Sequence, residues 1–294
     1  MNTEPLLAGN FQSEVEDTPL SLHPAHVFAI TSGKGGVGKT NLVVNLAAAL
    51  AMTQKRVMVM DADLGLANLD LFLGVNPKYT LADFFAGSKR LADIITTGHL
   101  GIMLLPAASG VQEVTALSNE QKIAFLTELD ALTHEVDIVL VDTGSGISDT
   151  VTYFTTAAHE IVVVVTPEPS SLTDAYALVK VLTSTHHEKR FWILPNNVEG
   201  EREAMRIYDT LSRTALHFLK TSLDLLGWVP RDQELVRAVS RCQIVAMRSR
   251  SCPSVRAFTT IAQRLAEFAA GEARVKGNLQ FFFRRLLAAR REGR

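Results

Sequence analysis

From His26 onward, short apolar or β-branched runs alternate with longer segments whose apolar residues recur at helical spacing. That alternation is the signature of βαβ units feeding a mostly parallel sheet. The runs place strands near residues 26–32, 56–61, 101–105, 136–142, 160–166, 190–196 and 223–229, with helices filling most of the gaps. Two of them, Ile138-Val139-Leu140-Val141 and Ile161-Val162-Val163-Val164-Val165, are apolar without polar alternation. A strand covered by helices on both faces has no wet side, so these two are expected at the centre of the sheet. The fold class is therefore α/β: a doubly wound, mostly parallel sheet with helices on both faces. Right-handed crossovers bring the loops after the strands to one edge, where open α/β sheets bind ligands.

The two ends break this pattern. Residues 1–25 mix Pro, Ser, isolated Leu and the acids Glu4, Glu14, Glu16 and Asp17 without a sustained period, and read as a mobile acidic arm. After Gly271, helical stepping from Leu279 gathers Phe282, Phe283, Leu286 and Leu287 on one face, with Arg284, Arg285 and Arg291 opposite. The expected organisation is an arm over 1–25, one α/β domain over 26–271 and a basic C-terminal amphipathic helix over 272–294.

Charge and cysteine content narrow the classes. A formal charge of -2 gives no sign of a global nucleic-acid binder, and no direct DNA binding is expected. The two cysteines, Cys242 and Cys252, match neither a redox pair nor common zinc spacing, which points to a reducing, cytoplasmic compartment. The N-terminus lacks a secretory pattern, and no apolar stretch is long enough to span a bilayer. Membrane contact is thus expected to be peripheral, with Phe282, Phe283, Leu286 and the flanking arginines meeting an anionic surface.

The chemistry sits after three strands. Val27-Phe28-Ala29-Ile30-Thr31 runs into Gly33-Lys34-Gly35-Gly36-Val37-Gly38-Lys39-Thr40 and then the helical run from Lys39 to Met52, whose first turn holds Asn41. Glycines let backbone N–H groups converge on phosphate oxygens at a helix N-terminus. Lys39 is placed to reach the β and γ phosphates, and the Thr40 hydroxyl to ligate Mg²⁺. The strand Val57-Met58-Val59-Met60 ends in Asp61-Ala62-Asp63, and Val139-Leu140-Val141 ends in Asp142-Thr143-Gly144-Ser145-Gly146. An apolar strand that closes on an acid suits Asp142 to holding Mg²⁺, while Gly144 and Gly146 allow the backbone beside the γ-phosphate to change shape. The cofactors expected are ATP and Mg²⁺.

The string Lys34-Gly35-Gly36-Val37-Gly38-Lys39-Thr40 resembles the deviant phosphate loop of the MinD/ParA family of ATPases. The resemblance implies that Lys34 reaches across a two-fold interface to the phosphates of a second copy, so that ATP drives homodimerisation. It implies that Asp63 positions the attacking water and that Asp61 supports Mg²⁺. Asn196 in Pro195-Asn196-Asn197 fits the family's adenine-reading asparagine, with Asn197 one register away, and Pro230 and Asp232 fit a loop against the base. Glu168 and Asp174 fall where the family has a ribose contact and a partner surface, although capping by Ser170, Ser171 or Thr173 explains part of that segment. Asp61 to Asp70, Asp142 to Ser148, Thr173 to Ala177 and Asn278 to Phe282 are similar to the FlhG (FleN, YlxH) group, regulators of flagellar number and placement. That group implies partners such as an FlhF-type GTPase, flagellar switch proteins or an enhancer-binding transcription regulator. The alternatives are a MinD-type division regulator, a ParA-type DNA partitioner and a non-hydrolysing nucleotide sensor.

Overall fold

The computed structural model describes residues 25–62, 69–80, 83–84, 86–106, 124, 127–128, 132 and 135–270. The expected arm up to residue 24 and the amphipathic helix over 272–294 lie outside them. The described chain opens at Ala25, which is already buried. The elements run β1 (His26–Ser32), α1 (Lys39–Met52), β2 (Val57–Ala62), α2 (Leu69–Leu73), α3 (Leu91–Ile94), β3 (Thr96–Thr97) and β4 (Met103–Pro106). They continue through β5 (Ile138–Ser145), α4 (Asp149–Ala157), β6 (Glu160–Val165), α5 (Pro169–Ser184), β7 (Phe191–Val198) and α6 (Glu201–Leu219). The last are β8 (Leu223–Leu225), β9 (Val229–Pro230), α7 (Gln233–Val239), α8 (Val245–Arg248) and α9 (Pro253–Ala270).

The sheet order is β3-β4-β2-β5-β1-β6-β7-β8, with β9 also pairing β7. Every pairing is parallel except β3 with β4. The two unbroken apolar runs become β5 and β6 and flank the central β1, as their lack of alternation predicts. Their successive side chains feed opposite cores. Phe28, Ile30, Leu140, Val162 and Val164 pack with α1 and α9 on one face, where most of α1 is buried. Val27, Ala29, Val139 and Val141 face α4 on the other, where Ile161, Val163 and Val165 meet α5 and α6. Side chains alternate across a pleated strand, so a strand between two apolar layers must be apolar at every position.

Two expected strands are corrected. The run over 101–105 begins only at Met103, because His99–Gly101 form a 3₁₀ turn after the antiparallel edge strand β3. The run over 223–229 is two strands. β8 pairs with the start of β7 (Phe191 with Leu223), and β9 with its end (Asn196 with Val229). Between them the chain steps past α9 at Gly227, where a Cβ would lie 2.8 Å from Ile261 Cγ1. Among the described residues, no helix is long and apolar enough to cross a membrane.

Candidate functional site

The ends of β1, β2, β5 and β7 form one edge, and the loop between β1 and α1 lies on it. Ser32 Oγ donates to the Lys34 carbonyl at 2.7 Å and fixes the entry to that loop. Gly33 is held against α5: a Cβ there would fall 2.1 Å from the Asp174 carbonyl carbon and oxygen. Only a residue without a side chain permits this approach of the backbones. Gly36 and Gly38 adopt φ of 77° and 90°, and Gly38 is the N-cap of α1. Lys39 and Thr40 therefore open the helix, with Lys39 buried and Thr40 half-buried. Asn41 Oδ1 accepts from Asn45 Nδ2 at 2.7 Å, so its side chain is tied into α1.

Two of the three carboxylates expected at this edge come together. Asp61 and Asp142 are register partners on β2 and β5, and Asp142 is also opposite Ile30 of β1. Both are buried, at 4% and 1% exposure. Thr143 Oγ1 donates to the Ile30 carbonyl at 3.1 Å, and the Gly146 N–H to the Ser32 carbonyl at 2.9 Å. These bonds tie the turn after β5 to the glycine loop, with Ser145 Oγ 3.4 Å from where a Cβ on Gly35 would stand. Asp63 lies outside the described residues.

Lys34 reaches the start of α5. Its ammonium forms an ion pair with Glu168 and donates to Ser170 Oγ at 2.8 Å. Lys34 is one-third exposed and Glu168 about two-thirds, with side-chain values of 34% and 63%. Water screens such a pair, which contributes about 0–1 kcal/mol and breaks readily. Glu168 is the N-cap of α5 but caps nothing with its side chain. Ser170, Ser171 and Thr173 do not cap it either: Ser171 Oγ accepts from the Thr166 N–H, and Thr173 donates to the Pro169 carbonyl.

Asn196, near the end of β7, is buried, and its Nδ2 donates to the Val37 carbonyl at 2.7 Å. It supports the glycine loop, whereas Asn197 is exposed, with a left-handed φ of 59° at the irregularity where β7 pairs with β9. Pro230 pairs alongside Val198 on β9. Asp232 is buried and spends its carboxylate within the chain. One oxygen caps α7 through the Glu234 N–H at 2.9 Å, and the other takes the Ser254 N–H and hydroxyl at 3.0 and 2.7 Å. Burial alone would push the Asp232 carboxyl up, but these bonds outweigh it and hold the group below the usual carboxylate range.

Sequence reasoning missed two supports. Asn45, deep in α1, accepts the Val245 N–H at 2.9 Å and pins α8. Ser254 joins the start of α9 to the loop after β9. The signal for Asn45 was a lone polar residue inside an apolar helix, since a buried amide requires partners. Ser254 carried no local signal.

Convergent backbone donors, a buried lysine at a helix N-terminus and two adjacent buried acids suit a nucleoside triphosphate with a divalent cation. The fold and this edge define a phosphate-loop nucleotide hydrolase. Residues 28–245 match the model of the CobQ/CobB/MinD/ParA nucleotide binding domain. The chain belongs to that family and is an ATPase.

Its relatives extend the match. The antiactivator FleN of Pseudomonas aeruginosa is 40% identical over 267 residues, 91% of this chain and 95% of that protein. The flagellum site-determining protein YlxH of Helicobacter pylori is 32% identical over 262 residues, 88% of each. Among solved structures, the MinD cell division protein of Aquifex aeolicus superposes with a TM-score of 0.63 at 27% identity, covering 83% of this chain and 97% of that one.

Proposed function

We propose that the chain is an ATP-dependent dimerisation switch that acts in setting flagellar number and placement. The position of Lys34 carries this reading: its ammonium rests on Glu168 and Ser170 at the exposed edge, outside its own glycine loop. A cation held by one weak surface pair can be lent to a facing copy, whose triphosphate offers more negative charge than Glu168. The similarity to YlxH, a flagellum site-determining protein, supports the flagellar assignment.

Within each subunit, the glycine loop N–H groups would hold the phosphates and Lys39 the β and γ oxygens. Thr40, Asp61 and Asp142 fit Mg²⁺, a hard cation taking oxygen donors, because two carboxylates stand side by side in register at the edge. No cluster of three acids, histidines or cysteines occurs among the described residues. Mg²⁺ does not need one, since it keeps waters and binds substrate phosphates. Bound there, it would neutralise charge on the phosphates. Asp63 would orient the attacking water, and the turn through Gly144 and Gly146 would follow the loss of the γ-phosphate. Reversible attachment of a cytoplasmic dimer to the inner membrane face through Phe282, Phe283, Leu286 and flanking arginines completes the proposal, because two weak helices bind with added avidity.

Light scattering on the Asp63→Ala protein with saturating Mg·ATP tests the switch. The mass should double, and fall back in the Lys34→Ala variant; an unchanged mass with bound ATP overturns it. In the cell, deletion should change flagellar number in electron micrographs. Minicells with normal flagella would place the protein in division instead.

A further inference from the structure

The segment from Arg231 to Arg256 carries six arginines and no lysine, against only Asp232 and Glu234. Asp232 is buried in its own hydrogen bonds, and Glu234 is paired with Arg237 at 2.6 Å. In a chain of net charge -2 this is a strong local excess of positive charge. Arg241, Arg248 and Arg250 are exposed within ten residues of one another around α8, and Arg248 Nη1 donates to Gln243 Oε1 at 2.8 Å, which ties α8 back to the turn that carries Arg241. Met247, beside Arg248 in the chain, is 55% exposed. Arginine and methionine are enriched at protein interfaces, and the planar guanidinium suits carboxylates in particular.

Arg250 also borders a cavity of about 290 Å³ lined by Ala49, Met52, Thr53, Ala246 and Phe258. The cavity is mostly apolar, and Thr53 places it at the edge of the sheet opposite the nucleotide. The root of the N-terminal segment is at that same edge. The His26 N–H donates to the Asp137 carbonyl at 2.9 Å, and Asp137 Oδ2 accepts from the Arg56 N–H at 2.8 Å, just beyond the end of α1. Residues 1–24 hold Glu4, Glu14, Glu16 and Asp17, no Lys or Arg, and the apolar Leu6, Leu7, Phe11 and Val15. At full extension they reach roughly 80 Å, ample to cover the face.

We propose that the acidic segment 1–24 docks in cis on the face formed by Arg241, Arg248 and Arg250, with one of its apolar side chains entering the cavity beside Arg250. The complementarity is double. Four acids meet arginines that have no acidic partner among the described residues, and an apolar residue meets an open apolar hollow. A nucleic acid would match the charge but leave the hollow and Met247 unused. The segment thereby occupies a surface that any acidic partner protein would have to win from it.

Cys242 reports on this face, being exposed between Arg241 and Gln243, whereas Cys252 is buried. Its alkylation rate in the full chain, followed by mass spectrometry, is compared with a full chain carrying Glu4→Gln, Glu14→Gln, Glu16→Gln and Asp17→Asn. At low salt, Cys242 should react several-fold more slowly in the unaltered chain, and about 1 M salt, where screening acts within roughly 3 Å, should erase the difference. Arg248→Glu with Arg250→Glu should remove the protection. Adding Glu14→Lys, Glu16→Lys and Asp17→Lys to that variant should restore it. Equal rates at low salt overturn the proposal. So does protection that grows with protein concentration, which would come from another copy, or protection that appears only on adding duplex DNA.

Discussion

Single residues at the nucleotide edge are constrained by different neighbours, and substitutions separate them. Gly33 abuts the backbone of α5, so Gly33→Ala must push the helix away and should destabilise the protein by at least about 1–3 kcal/mol in urea unfolding. Among the described residues Gly35 meets only Ser145 Oγ, at 3.4 Å, and Gly35→Ala should cost less than about 1 kcal/mol by the same measurement. The string of glycines was legible as a phosphate cradle, but their separate reasons were not. Gly33 answers to a helix more than a hundred residues later, and Gly38 to Asn196, whose Nδ2 would lie 2.8 Å from an added Cβ. Lys34 was legible as unusual. Its resting partners Glu168 and Ser170 depend on how α5 is placed against the loop, which no local pattern encodes.

At the scale of elements, the strands were readable because burial on both faces writes itself into unbroken apolar runs, as in β5 and β6. The misread stretch over 223–229 failed for the opposite reason. Leu223 to Val229 is apolar enough for one strand, and only the step past Ile261 of α9 divides it. The join between α7 and α9 likewise rests on one side chain that reads as a binding-loop acid. Asp232→Ala strips the cap of α7 and leaves the Ser254 donors without their acceptor, which should cost about 2–4 kcal/mol. Calorimetry of the nucleotide-free protein should show the Tm lowered by roughly 5–15 °C. A carboxylate serving nucleotide alone would leave that Tm unchanged.

For the molecule as a whole, one source of acid sensitivity lies at the edge opposite the nucleotide. His26 packs against Phe28 and His159, and burial lowers its pKa from 6.5 to about 4. The unfolded chain therefore takes up a proton that the folded chain refuses. Stability is complete above about pH 6.5 and falls as the pH drops toward 4, by at most roughly 3 kcal/mol from this group. Denaturant titrations between pH 7 and 4 should show that slope, flattened in His26→Phe. The sheet's order carries a last consequence. β1 and β2 are not neighbours, because β5 lies between them and begins about 75 residues after β2 ends. At typical synthesis rates the ribosome needs roughly 4–15 s to deliver that strand. During this interval β1 waits for both of its neighbours and β2 has only β4 to pair with, so the nascent chain keeps open strand edges until β5 arrives.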